Sequence, residues 1–251
     1  MGKIRIGTMG WSYEHWVGSF YPAGTAPSDF LTEYSKHFNT VEVNSTFYRV
    51  PYKRTVEGWK LKTPEDFTFA AKLPRAVTHG EELGDRWEKL EVFIDNISLL
   101  GSKLGPLLVQ LPPRYKPERL ENLRDFLANL PRGPRYAVEF RDRGWLDEGV
   151  YEILRDYGIA LVLADHPRMP EFVVSTTDFT YIRWQGDRKH VDGESGRVER
   201  DRSADNERWA ERIVRFLDES IEVYGYFSKF YSGHPPTDAK QLLQYIDSNR
   251  G

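Results

Sequence analysis

The chain has 251 residues, 39% of them hydrophobic and 14% aromatic, which is enough for a sizeable core and argues against disorder. A formal charge of −3 excludes a surface coated in positive charge for bulk nucleic-acid binding, although a local patch fits inside a near-neutral total. The absence of cysteine excludes disulfides, a thiolate nucleophile and any Cys-containing zinc site.

The first residues enter a strand-like pattern, Ile4–Thr8, with no apolar signal-peptide core, and a cytoplasmic location is expected. From there short β-rich runs alternate with helical periodicity. The strands are expected at Ile4–Thr8, Thr40–Asn44, Phe67–Lys72, Leu107–Gln110, Tyr136–Phe140, Ile159–Ala164, Phe179–Trp184 and Val223–Ser228. Leu107-Leu108-Val109 and Leu161-Val162-Leu163 are apolar at every position, as parallel strands covered on both faces require. None of these runs is long enough to span a membrane.

Four helix faces show a 3.6-residue period: Trp87, Leu90, Ile94 and Ile97; Leu120, Leu123, Leu127 and Leu130; Val150, Ile153, Leu154 and Tyr157; Trp209, Ile213, Phe216 and Leu217. Ser28 and Thr237, each preceded by proline, read as helix N-caps. The helix after strand two, near Val56–Leu61, is short, and the crossover after strand six, within Pro167–Asp178, is irregular. A doubly wound open sheet is the competing arrangement, but eight strands with helical crossovers and no linker predict an α/β fold of the TIM-type (β/α)8 class. Residues 1–251 then form a single domain.

In such a barrel, functional groups come from the C-terminal ends of the strands and the loops after them. These windows contain about ten Lys or Arg against about five Asp or Glu, in a chain that is acidic overall. The guanidinium fork suits carboxylate or phosphate, so an anionic small molecule or nucleic acid is the expected partner. The candidate ligand-binding residues are Trp11, Tyr13, Asn44, Tyr48, Lys72, Arg75, His79, Gln110, Arg141, Arg183 and Lys229. Some of the aromatics, Phe47 and Trp184 in particular, are expected to close the barrel as core.

Glu42, Glu139 and Asp165 end strands two, five and six and are the candidate catalytic acids. As a pair they could act on a glycosidic bond; joined by His79, His166 or His234 they could hold a divalent metal. The histidines show no i, i+4 pair and no HExxH, so no metal residue is assigned and no cofactor is expected. Buried acid–Arg pairing, such as Glu139 with Arg183, would give the same pattern for purely structural reasons.

Several motifs resemble the YecE-like family, the domain of unknown function 72. They are Ile6-Gly7-Thr8-Met9-Gly10-Trp11-Ser12-Tyr13 followed by Trp16, Gly18, Phe20, Tyr21 and Pro22; Phe38-Asn39-Thr40-Val41-Glu42-Val43-Asn44-Ser45-Thr46-Phe47-Tyr48; and Lys72-Leu73-Pro74-Arg75-Ala76-Val77-Thr78-His79. Gly105 to Arg114, Ala137 to Arg141 with Trp145, Asp165 after Leu163-Ala164, and Tyr181-Ile182-Arg183 with Gly186 continue the match. The resemblance implies a TIM-type barrel and no established reaction. It also implies structural likeness to metal-dependent sugar isomerases and apurinic-site endonucleases, and nucleic-acid binding has been suggested for the family; fold analogy does not transfer function. The family's usual Asn-Asn pair after strand eight is replaced by Ser228-Lys229, which implies altered recognition and one more cation there.

Three functions follow from these residues. The leading one is binding or hydrolysis of a phosphate-bearing ligand, nucleic acid included, at the rim of the barrel. The others are a carbohydrate-active hydrolase using paired carboxylates and a non-catalytic module that uses the aromatic rim as a protein interface.

Overall fold

A computed structural model describes residues 2–250. Eight strands, β1 (Ile4–Thr8), β2 (Thr40–Val43), β3 (Thr68–Lys72), β4 (Leu104–Gln110), β5 (Tyr136–Glu139), β6 (Ala160–Asp165), β7 (Phe179–Trp184) and β8 (Glu222–Phe227), form one parallel sheet. Its order is β1-β8-β7-β6-β5-β4-β3-β2. β1 and β2 meet across a single bridge, Met9 with Glu42, so the sheet closes into a nearly complete TIM-type barrel.

The helices are α1 (Phe30–Ser35), α2 (Lys53–Leu61), α3 (Arg75–Thr78), α4 (Trp87–Ile97), α5 (Leu120–Ala128), α6 (Glu148–Asp156), α7 (Ser203–Asp218) and α8 (Pro235–Ser248). No helix among the described residues is long and apolar enough to cross a membrane. As the sequence predicts, β6 and β7 are joined without a helix. Thr176 anchors that segment by donating to the Ile159 carbonyl (2.7 Å) and accepting from the Leu161 amide (2.8 Å).

Two of the predicted details are corrected. Ser28 lies inside a 3₁₀ turn, Pro27–Asp29, ahead of α1, and Thr237 sits in the first turn of α8, which starts at Pro235. Proline is tolerated at the first helical positions because its missing N–H has no intrahelical partner there. Phe93, rather than Ile94, is buried with Leu90 and Ile97 on the α4 face, and Tyr157 lies beyond α6 and is exposed.

The two-residue period of the strands sorts side chains into two cores. Outward residues such as Leu107, Val109, Leu161, Leu163 and Ile182 pack under the helices. Inward residues fill the tube: Phe179, Tyr181, Tyr224 and Tyr226 on β7 and β8 meet Ala70, Ala137 and Ala160 opposite. Large groups facing small ones fill an interior that eight strands leave just wide enough for side chains.

The closure between β1 and β2 depends on one hydroxyl. Gly7 brings the strands so close that a Cβ would stand 2.3 Å from the Thr40 carbonyl oxygen. Beside it the buried Tyr34 hydroxyl accepts from the Thr8 amide (2.9 Å) and donates to the Thr40 carbonyl (3.0 Å), standing in for a ladder bond. Tyr34→Phe leaves both backbone groups buried without this partner. The expected cost is about 1–3 kcal/mol in urea unfolding, and an unchanged midpoint would remove the hydroxyl from the account of closure.

The 185–202 segment between β7 and α7 has neither helix nor strand. At Gly186 (φ +66°) a Cβ would stand 1.9 Å from the Phe230 carbonyl oxygen, so the segment lies directly on the loop after β8. This covers the β8 side of the barrel end.

Candidate functional site

Glu42, Lys72, Gln110, Glu139 and Arg183 share the inward parity of Ala70, Leu108, Ala137 and Tyr181 on their strands, one pleat nearer the C-terminal end. Gln110 and Glu139 are register partners on β4 and β5, and Lys72 pairs with Leu108. Five polar side chains from five strands therefore converge on the axis.

Arg183 sits at the centre, 3% exposed. Its Nε donates to Glu42 Oε2 (2.9 Å) and its Nη2 to Glu42 Oε1 (2.8 Å), a two-point fork, while Nη1 donates to Glu139. Glu42 also accepts from the Tyr181 hydroxyl (2.7 Å) and Asn44 Nδ2 (2.8 Å), so four donors occupy its oxygens. The other oxygen of Glu139 is ion-paired with Arg141. With its amide oxygen turned toward them, Gln185 accepts from Arg183 Nη1 (2.6 Å) and Arg141 Nη2 (3.2 Å). Burial would raise the Glu139 carboxyl, but Arg141 and Arg183 outweigh it and hold it below the usual carboxylate range. For Arg183 burial acts downward, and Glu139 and Glu42 more than reverse it.

Lys72 completes the layer differently. Its Nζ donates to Gln110 Oε1 (2.7 Å) and lies 3.8 Å from the centre of the Phe47 ring, with no carboxylate within 4 Å. Burial and then the nearby Arg183 push its ammonium down to about 7.

Around this layer the rim is cationic. Phe47, Tyr48, Arg49, Arg75 and His79 help line a cleft of about 1090 Å³, with Glu81, Asp85, Arg86 and Lys89 also on its walls. His79, in edge contact with Phe47 at 4.9 Å, adjoins a smaller recess of about 550 Å³ that Arg114 and Arg119 also line. Burial, then Lys72, Arg114 and Arg75, hold the His79 imidazole down at about 4. Burial and then Arg141 hold His166, after β6, down at about 4. Two histidines from different strand ends thus feel the same positive surroundings.

The predicted residues divide between this cluster and other places. Glu42, Asn44, Glu139, Arg141 and Arg183 form one connected cluster, the Lys72–Gln110 pair lies in the same layer, and Arg75, His79 and Tyr48 line the adjoining cleft. Tyr13 borders the cluster, its hydroxyl donating to the Met9 carbonyl (2.7 Å) and its pKa raised to about 12 by burial and then Glu42. Trp11 packs edge-on against Trp59 (5.8 Å) and Phe69 (6.4 Å), toward the helix layer.

Asp165 is not brought to the cluster. It shares the outward parity of Leu161 and Leu163 and accepts from Trp209 Nε1 of α7 (3.1 Å). Lys229 is ion-paired with Glu194 of the 185–202 segment, which also faces His15. Among the described residues no group of three His, Asp or Glu converges as a metal ligand set. Tyr181, which sequence reasoning did not single out as a site residue, and Gln185, one of the polar groups expected at the end of strand seven, also belong to the cluster. Their signal was the strand period itself, since each stands two residues from Arg183.

Comparison with known proteins adds a family to this geometry. The sequence model described as "Protein of unknown function DUF72" matches residues 5–251. The chain belongs to the DUF72 family. This DUF72 chain is 28% identical to the UPF0759 protein YunF of Bacillus subtilis, the match covering 97% of this chain and 95% of YunF. It is 32% identical to the UPF0759 protein YecE of Escherichia coli over 62% of this chain; that match spans 55% of YecE, little more than half its length.

Among solved structures, a DUF72 family protein of Thermotoga maritima superposes with a TM-score of 0.79 at 30% identity, over 99% of this chain and 100% of that one. One from Enterococcus faecalis gives a TM-score of 0.76 at 22% identity, over 97% and 95%. In this member of the family the strand ends carry two buried carboxylates tied by one guanidinium, with a cleft beside them lined by more cations than acids.

Proposed function

We propose that the barrel rim between β2 and β5 binds a phosphate-bearing anion. The observation that carries this is the distribution of partners. Arg183 and Arg141 occupy the two buried carboxylates, whereas Lys72, Arg75 and Arg114 have no acidic partner within 4 Å among the described residues. Arg114 instead donates to the backbone carbonyls of His79 (2.6 Å) and Gly80 (2.9 Å), which fixes its guanidinium beside the smaller recess. Lys72 is buried and Arg75 and Arg114 stand exposed at the mouth, where a concave surface lined by like charges concentrates their field on an anion.

Exposed aromatics extend the site. Tyr48 is 81% exposed on the cleft, and the Tyr52 ring lies under the guanidinium groups of Arg49 (4.6 Å) and Arg54 (5.6 Å). A base has a face to stack on there, so a nucleotide or single strand fits the surface better than a bare phosphate. The carboxylates support a glycosidase reading less well, because Glu42 and Glu139 are joined through one arginine rather than open to a sugar.

The test is titration of the full chain with pyrophosphate and with a short single-stranded oligonucleotide at ~50 and ~200 mM salt. The expected result is binding of both that weakens steeply with salt, and more steeply for the oligonucleotide. Binding of pyrophosphate alone would restrict the ligand to small phosphates. No binding of either, or a flat salt response, would end the reading.

A further inference from the structure

Two lysines are buried in this protein, and their surroundings differ. Lys103, 2% exposed, directs its ammonium at the carbonyls of Lys60 and Thr63 (2.8 Å each) and at Thr63 Oγ1 (3.4 Å). Three acceptors for three N–H groups describe a fixed ammonium at the end of α2. Lys72, 9% exposed, has one hydrogen-bond partner, the neutral amide oxygen of Gln110, and Arg183 acts on it more strongly than Glu139 or Glu42 does. An amine that donates once to Gln110 keeps its lone pair free. The Phe47 ring, which lines the cleft, contacts Nζ directly.

From this geometry we propose that Lys72 is a nucleophile that forms an imine with an aldehyde or ketone borne by a phosphate-carrying ligand. The phosphate part rests on the anion site proposed above. The Nζ lone pair bonds to the carbonyl carbon as the carbon–oxygen π pair moves to oxygen. The two amine protons then leave with that oxygen as water, and the carbon–nitrogen double bond forms. No oxidant or further reactant is needed. Protonated, the product is an iminium cation over the Phe47 ring, with Gln110 Oε1 placed to accept its N–H. Desolvation beside other cations is the arrangement that leaves a lysine amine free at neutral pH, and with its pKa at about 7 roughly half of Lys72 is neutral near pH 7.

The experiment is reductive trapping on the full chain with cyanoborohydride. Glyceraldehyde 3-phosphate and glyceraldehyde are the probes, and labelled lysines are located by peptide mass spectrometry. Lys72 is expected to label about tenfold faster near pH 7 than exposed lysines such as Lys36 and Lys62. Its rate should level off above neutral pH, and pyrophosphate should protect it.

Gln110→Glu sets a carboxylate against Nζ and raises its pKa. Labelling near pH 7 should then fall at least about fivefold and recover near pH 9, which a merely disturbed pocket would not do. Labelling of Lys72 no faster than of exposed lysines, with pyrophosphate still bound, overturns the nucleophile and leaves the anion site standing. Equal rates with both probes and no protection by pyrophosphate support the nucleophile and remove the anion site.

Discussion

Replacing Arg183 with methionine is expected to destabilise the protein by about 3–5 kcal/mol, because it leaves Glu42 and Glu139 charged, buried and without their shared partner. For a chain of this size that corresponds to a fall in melting temperature of roughly 6–20 °C. The cost lies in the stranded charges, not in the lost side chain, since methionine fills much of the same space. Arg183→Met combined with Glu42→Gln and Glu139→Gln should therefore recover a large part of the loss, and Arg183→Lys should not, because an ammonium cannot span both carboxylates as the fork does. Thermal unfolding of the three variants decides the matter. If Arg183→Met melts within ~2 °C of the parent, the cluster does not hold the barrel end together as described.

Lys72 has the opposite relation to stability. Its ammonium ionises at about 7 in the folded chain against 10.5 unfolded, so between those values the unfolded chain holds the extra proton. Stability must then rise with pH across that window, and the strain of the buried ammonium is fully present below it. Between pH 7 and 9.5 the gain attributable to Lys72 is about 2–3 kcal/mol, read as the parent minus Lys72→Met so that other groups cancel. Asp238, buried and pushed up to about 7, is the main other buried group titrating near the start of the window and is present in both proteins. Lys72→Met should be more stable than the parent at pH 7, and the two should converge toward pH 9.5. Parallel urea-unfolding curves across this range would mean that Lys72 is not held in a desolvated site. A residue that costs stability at neutral pH is consistent with selection for something other than folding.

Much of the barrel was legible because strands covered on both faces must be apolar at consecutive positions. The runs around Leu107–Val109 and Leu161–Leu163 therefore located β4 and β6 within three residues at either end. The same uniformity concealed facing. Nothing in Ile159–Ala164 tells inward from outward, so Asp165 could be named as a strand-end acid but not placed on the helix side, where Trp209 holds it. The pair of Glu139 with Arg183 was legible as a structural alternative, but that the same guanidinium also holds Glu42, 141 residues away, was not, because local periodicity does not reach that far. Lys229 looked like an added cation because Glu194, its partner, stands in a segment with no regular pattern.

The N-terminal end of the barrel carries charges of its own. There Arg135 donates to Glu222 (2.5 Å) and Asp178 (3.0 Å) and lies 4.0 Å over the Phe179 ring, while Arg5 adjoins Glu222 (3.6 Å). A polar lid of paired charges thus seals one end of the tube, and a cluster with a surplus cation occupies the other.

The seam at Tyr34 bears on the order in which the cylinder is completed. β1 is laddered to β8 at five register positions but touches its sequence neighbour β2 through one bridge and one phenol. The strand Ile4–Thr8 therefore takes its main backbone partner from a segment more than two hundred residues downstream, and ring closure is a long-range event with a high loop-closure cost.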